Sequence, residues 1–300
     1  MAITVGISGL GIMGTGMSMN LIKKGGHAVV GYDIDKGRRD ALQANGGTPL
    51  ASNAEVAKAS DVVICSLPSA AALDAVVNGK DGIIASGKKG LVVLECSTLA
   101  IETKEKARAA LEAAGMVMLD APVSGAGKQA EAGELSIMVS GDQAAYAKAE
   151  PIFASFCKAW RHVGQFGMGM KLKLIINMLI SIHGAAYAEA IAIAQKAGVP
   201  LDLLHQCVTI GAGNSRVIEY RGPLMIKGVY GDPDTKTVDL PIQIKDNDVI
   251  SNFIKSLHVP TPTFNSSMPY YEAAYAQGWV KEDPGVITRI AEMWSGLKQR

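Results

Sequence analysis

Ile3-Thr-Val-Gly-Ile-Ser8 runs into Gly9-Leu10-Gly11-Ile12-Met13-Gly14 and then into a helical pattern from Thr15 to Lys24. A short β-branched run, a Gly-x-Gly-x-x-Gly turn and a helix stand in that order. The first glycine permits the tight turn, the second lets a pyrophosphate approach the backbone, and the third lets helix and strand pack closely. Exposed N–H groups at the helix start, with the helix dipole behind them, attract phosphate. Glycine-rich turns are common, so the next strand decides the matter. Ala28-Val-Val-Gly-Tyr32 is apolar and ends at Asp33, nineteen residues after Gly14. A carboxylate there accepts hydrogen bonds from the ribose hydroxyls of NAD and repels the 2′-phosphate of NADP. The stretch predicts a dinucleotide site built from residues 9–14 and Asp33, for NAD rather than NADP. Lys36, Arg38 and Arg39 are the one local feature that a phosphate would favour.

Outward from this unit the alternation of strand and helix continues. Asp61-Val-Val-Ile-Cys-Ser-Leu67 is an uninterrupted apolar strand ending at Pro68, and Leu91-Val-Val-Leu-Glu-Cys96 is another, followed by Ser97-Thr98. Met116-Val-Met-Leu-Asp120 leads into Ala121-Pro-Val-Ser-Gly125. Such two-sided apolar runs belong in a parallel sheet covered on both faces. Open α/β sheets bind ligands beyond the carboxyl ends of their strands. Gly9, Asp33, Leu67, Thr98 and Ser124 are all expected there, in one crevice.

A long apolar helix is expected over residues 168–196, opened by Gly164, Gly167 and Gly169 and carrying Lys173 and Asn177 one turn apart. Beyond Gly198 the pattern is helical, with no second glycine-rich loop. The expected architecture is α/β: a Rossmann-type doubly wound parallel sheet over residues 1–163, then an all-helical domain over 164–300 for substrate binding and oligomerisation, joined by the interdomain helix. A helix shared by two domains lines the cleft where small-molecule sites form. Its apolar residues (Ile175, Ile176, Leu179, Ile180, Ile182) occupy more than one face, which predicts a homodimer or homotetramer.

Bulk composition narrows the class. The chain has 300 residues, 48% of them hydrophobic and 19% charged, which suits a folded protein of two domains. Lys plus Arg (29) nearly balances Asp plus Glu (28), and no basic run of five occurs, so no nucleic-acid partner is expected. No run of eighteen apolar residues escapes a polar break, so no membrane span is expected. Cys65, Cys96, Cys157 and Cys207 are scattered, with no CxxC pair, and the five histidines show no metal or triad spacing. No metal is expected. The strand at Ile3 leaves no room for a signal peptide, and a reducing, cytoplasmic setting is expected.

Taken together, these motifs resemble those of the β-hydroxyacid dehydrogenases, the group of 3-hydroxyisobutyrate dehydrogenase and tartronate semialdehyde reductase, related in fold to 6-phosphogluconate dehydrogenase. The resemblance covers nearly the whole chain in order. It implies that Gly9, Leu10, Gly11, Ile12, Met13 and Gly14 form the cofactor loop, that Leu67 and Pro68 contact the cofactor, and that Thr98 lies beside the nicotinamide. It implies a substrate-binding segment at Ser124, Gly125 and Ala126, and a catalytic segment in which Lys173 is the essential lysine. It further implies that Lys245 and Asp246 meet cofactor and substrate. The chain differs from the usual family pattern at Ala126, Gln129, Ile176 and Val238, and lacks a proline at 99–101.

Hydride transfer between an alcohol carbon and nicotinamide requires a proton to leave or join the oxygen. Lys173 is the candidate general base for oxidation and general acid for reduction, set in the apolar stretch Leu172-Lys-Leu-Ile-Ile176. An ordinary lysine, with a pKa of roughly 10.4, acts as a base near neutrality only if depressed by about two or three units. Asn177 is on the same helix face and suited to hold the substrate oxygen or orient the amine. Lys171 is expected on the surface. Thr98 reads equally as the N-cap of the following helix, Lys245 and Asp246 as a helix-start charge pair, and Arg216 as either a contact to a second anionic group or a surface residue. The expected function is NAD-dependent hydride transfer on a short β-hydroxyacid or its semialdehyde. An imine reductase or a non-catalytic dinucleotide-binding scaffold is the alternative, and Lys173 argues against both.

Overall fold

The computed structural model describes residues 3–300. Contacts divide the chain into two compact units, the first ending at Lys173 and the second spanning Leu174–Arg300. In the first, among the described residues, β1 (Thr4–Ser8), β2 (Ala28–Tyr32), β3 (Thr48–Pro49), β4 (Val62–Cys65), β5 (Val92–Glu95) and β6 (Val117–Asp120) form a parallel sheet ordered β3-β2-β1-β4-β5-β6. This is the doubly wound Rossmann order, and the direction of winding reverses beside β1. Successive residues of a strand face opposite sides, so each strand feeds two cores. Ile7, Val62, Ile64 and Leu94 belong to one core, and Val63, Cys65, Val93 and Met118 to the other.

The sheet is covered by α1 (Ile12–Lys23), α2 (Lys36–Ala44), α3 (Asn53–Ala59), α4 (Ala70–Asn78) and α5 (Ile101–Ala113). Ser52 caps α3 by accepting from the Glu55 N–H at 3.1 Å, as its sequence position suggests.

The chain then does something the sequence pattern did not announce. Strands β7 (Val123–Ser124), β8 (Leu135–Val139) and β9 (Cys157–His162) form a separate three-stranded sheet, antiparallel between β7 and β8 and parallel between β8 and β9. Ser124 therefore lies within β7, paired with Ser136, and not at the carboxyl end of a parallel strand as expected. The cause is Pro122, which follows β6 and Ala121 and breaks the run before Val123. Helices α6 (Gly127–Ala132), α7 (Gln143–Ala149) and the short α8 (Phe153–Phe156) connect these strands.

Helix α9 (Met168–Ala197) begins in the first unit and continues into the second. By length and composition it is apolar enough to cross a membrane. Met170, Lys173, Leu174, Asn177, Ser181, Ala185, Ala188 and Ile191 form one buried stripe along it at helical spacing, polar groups included. Ile175, Leu179 and Ile193 on the other side are exposed. The second unit adds α10 (Leu201–Ile210), α11 (Arg216–Lys227), α12 (Leu240–Ser256), α13 (Pro262–Ala276) and α14 (Ile287–Trp294), around a core including Tyr187, Ile191, Tyr230, Tyr271 and Ile287.

Burial also sets an alkaline limit to stability. It pushes the Cys157 thiol and the Tyr187 and Tyr230 hydroxyls each up to about 12. An unfolded chain releases these protons near their ordinary values while the native chain keeps them. Their contribution is complete below about pH 8.5 for Cys and 10 for Tyr, and falls as pH rises toward 12, by about 1.4 kcal/mol per pH unit per group. Thermal midpoints measured from pH 8 to 12 should decline steadily over this window; a flat profile would show that these groups are not buried.

Candidate active site

Each glycine of the loop after β1 has a distinct geometric reason. Gly9 has φ +95°, and a Cβ there would lie 2.3 Å from the Ser66 carbonyl oxygen. A Cβ on Gly14 would lie 2.0 Å from the Gly9 carbonyl oxygen. A Cβ on Gly11, in contrast, would meet only Arg38 Nη1, at 3.8 Å. The first glycine admits the loop that follows β4, the third closes the turn upon itself, and the second faces open space. Gly11 is the N-cap of α1 and no side chain caps that end, which leaves first-turn N–H groups such as those of Met13 and Gly14 for an anion. Ile12 stands 67% exposed beside them. These residues fit a dinucleotide pyrophosphate.

Asp33 is buried beside this loop and does more than the sequence reading gave it. Its Oδ2 accepts from the Leu10 N–H at 2.8 Å and its Oδ1 from the Asp35 N–H at 2.9 Å. Arg38 Nη1 pairs with Oδ2 at 3.3 Å. The carboxylate thus holds the glycine loop in place, with capacity left on its lone pairs for a ribose hydroxyl. The Asp33–Leu10 bond escaped the sequence reading because it joins residues 23 positions apart.

At the ends of β4 and β5 the Leu67 N–H donates to Ser97 Oγ at 2.8 Å, and the Ser97 N–H donates to Glu95 Oε1 at 3.0 Å. Leu67, Pro68 and Thr98 are thus held together by a tie between the two strand ends. The N-cap of α5 is Ala100, so Thr98 is not the cap. In the segment expected to bind substrate, Gly125 has φ +133°, and Gln129 Oε1 accepts from the Ala126 N–H at 3.0 Å. The donor at Ala126 is thereby taken, which gives Gln129 its structural role.

The sequence reading missed a buried charge cluster beneath these loops. Lys104 Nζ lies 2.7 Å from Glu95 Oε2 and 2.8 Å from Asp120 Oδ1, all three residues being wholly buried. Burial alone would lower the Lys104 pKa, but the Glu95 and Asp120 carboxylates more than offset this and hold it above the ordinary lysine value. Asp120 Oδ2 also accepts from Ser140 Oγ at 3.0 Å and from the Met170 N–H, in the first turn of α9, at 2.7 Å. Ser140 Oγ in turn accepts from the Gly169 N–H at 3.0 Å. A Cβ on Gly169 would sit 2.5 Å from the Met138 carbonyl oxygen, so this turn is docked closely.

One turn further along α9 stands Lys173, 7% exposed, while Lys171 faces solvent. In the second unit Asn177 is 5% exposed and donates through Nδ2 to Asp246 Oδ2 at 3.0 Å. Its Oδ1 is buried and accepts no hydrogen bond among the described residues. Asp246 Oδ1 pairs with Lys245 Nζ at 2.9 Å. Both residues lie inside α12, so they are not a helix-start charge pair. Arg216 is a surface residue, its side chain 82% exposed and paired with Glu219 at 2.6 Å. Among the described residues no cluster of His, Cys, Asp and Glu could hold a metal.

Known proteins were then compared with this geometry. Residues 4–164 match the family described as the NAD binding domain of 6-phosphogluconate dehydrogenase. Residues 167–290 match that described as NAD-binding of NADP-dependent 3-hydroxyisobutyrate dehydrogenase. An L-threonate dehydrogenase of Haemophilus influenzae is 33% identical over 96% of this chain and 94% of its own. A 2-(hydroxymethyl)glutarate dehydrogenase of Eubacterium barkeri is 30% identical over 99% of this chain and 97% of its own. The crystal structure of a 3-hydroxyisobutyrate dehydrogenase from Salmonella typhimurium superposes with a TM-score of 0.85 at 32% identity, covering 96% of this chain and 99% of that one.

Proposed function

The chain belongs to the 3-hydroxyisobutyrate dehydrogenase, or β-hydroxyacid dehydrogenase, family of NAD(P)-binding oxidoreductases, and on that premise we propose that it oxidises a short-chain hydroxyacid with Lys173 as the proton-transfer group and NAD as the preferred cofactor. The observation that carries the reading is the burial of Lys173 on α9, in the turn after Gly169 and Met170 are bonded to the strand-end network. Bound nicotinamide would supply or accept the hydride. Lys173 Nζ takes the proton from the substrate hydroxyl during oxidation and returns it during reduction. Asn177, its Nδ2 held by Asp246 and its buried Oδ1 an acceptor, orients the Lys173 amine from one turn further along the same helix. The Ser124 hydroxyl and the backbone at Gly125 hold the substrate carboxylate.

Assays with L-threonate, 2-(hydroxymethyl)glutarate and 3-hydroxyisobutyrate, each with NAD and NADP, test this. At least one acid should be oxidised, faster with NAD. In Asp33→Asn, which keeps an acceptor for Leu10 but removes the negative charge, the preference for NADH over NADPH in binding should shrink at least tenfold, by about 1.4 kcal/mol. Failure to oxidise any of the three acids with either cofactor would refute the substrate class. A native preference for NADP would refute the role given to Asp33.

A further inference from the structure

We propose that Lys104, Glu95 and Asp120 are positioning residues whose buried ion triad locks the first turn of α9, and with it Lys173, onto the strand ends that hold the cofactor. The inference rests on the acid–base role of Lys173.

The connection is continuous. Leu67 N–H reaches Ser97 Oγ at 2.8 Å, and Ser97 N–H reaches Glu95 Oε1 at 3.0 Å. Glu95 reaches Lys104 at 2.7 Å, and Lys104 reaches Asp120 at 2.8 Å. Asp120 reaches Met170 N–H at 2.7 Å, and through Ser140 it reaches Gly169 N–H. Every step lies within the first unit. One cation between two carboxylates leaves the cluster with a net charge of −1. The excess is met by the amino end of α9, whose dipole places about half a positive charge there.

Stability alone does not require this arrangement. A buried ion cluster is generally replaceable by apolar side chains of similar volume without loss of stability. A polar tie does fix orientation, because each bond has one good geometry. Here what it orients is the first turn of α9, on which Lys173 follows, relative to Leu67, Ser97 and Asp120.

The double variant Glu95→Gln/Lys104→Met separates the two roles. It keeps the net charge at −1 and an acceptor for Ser97 N–H, but removes the tie. The expected result is a folded protein with NADH affinity within threefold of the parent. Amide exchange over residues 168–174 should be at least tenfold faster than in the parent, and kcat at least tenfold lower with KM changed less than threefold. Ser140→Ala, a smaller change, should move the same two readouts in the same direction even if the double variant fails to fold. Parental exchange and kcat in whichever of these variants folds would overturn the proposal. Lys173→Ala, assayed alongside, keeps the two readings apart. Turnover persisting there would refute the acid–base role, while exchange over 168–174 would still report on the tie.

Discussion

Lys173→Ala should bind NADH within about threefold of the parent protein and turn over at least about a hundredfold more slowly, since a positioned acid–base group contributes about 10²–10⁴ in rate. The separation of binding from turnover follows from the structure. The residues proposed to hold the dinucleotide are fixed by bonds of their own, Asp33 to Leu10 in the glycine loop and Ser97 to Leu67 at the strand ends. Truncating a 7% exposed lysine leaves a small void, so a thermal melt accompanies the kinetics. Lys173→Arg should be nearly as slow, because guanidinium stays protonated and cannot serve as a base. A comparable loss of NADH affinity would place Lys173 in cofactor binding instead.

Gly14→Ala should lower both stability and NADH affinity, whereas Gly11→Ala should lower affinity alone. At Gly14 the new methyl would lie 2.0 Å from the Gly9 carbonyl oxygen, so the loop must open. Overpacking of this kind costs about 1–3 kcal/mol. In a chain of this size that lowers Tm by about 2–4 °C per kcal/mol, and the displaced N–H groups no longer converge on a phosphate. At Gly11 the methyl meets only Arg38 Nη1 at 3.8 Å, so the fold is kept while the methyl stands where the proposed site brings the pyrophosphate close to the backbone. Titration with NADH and a thermal melt of both variants check this. Equal Tm losses in the two would show that the loop geometry is misread.

The Rossmann sheet was legible because its signals are local. A strand, three glycines, a helix and an acid at fixed spacing are all read within residues 3–33, and the apolar runs ending at Leu67 and Cys96 repeat the theme. The second sheet was not legible, for two reasons. Strand β9 exposes Lys158, Trp160 and Arg161, so it shows neither an apolar run nor clean alternation. Strand β7 is only two residues long and pairs antiparallel with β8, outside the alternation of parallel strand and helix. In the candidate site, Lys173 was legible as a lysine in an apolar helix. Lys104 was not: it sits in Glu102-Thr-Lys-Glu-Lys106, which reads as a solvated face. Its partners lie nine and sixteen residues away along the chain, on adjacent parallel strands. A signal did exist in Glu95, a lone carboxylate in an otherwise apolar strand, which demands a buried cation nearby. Asn177–Asp246 and Asp33–Leu10 were likewise hidden, because their pairing depends on tertiary packing rather than spacing.

The most direct measurement is a crystal structure of the protein with NAD and a hydroxyacid that it oxidises. The account predicts Lys173 Nζ within about 2.6–3.2 Å of the substrate hydroxyl, with the hydroxyl-bearing carbon facing C4 of the nicotinamide ring. Lys173 Nζ turned to solvent, with another group on that hydroxyl, would contradict it.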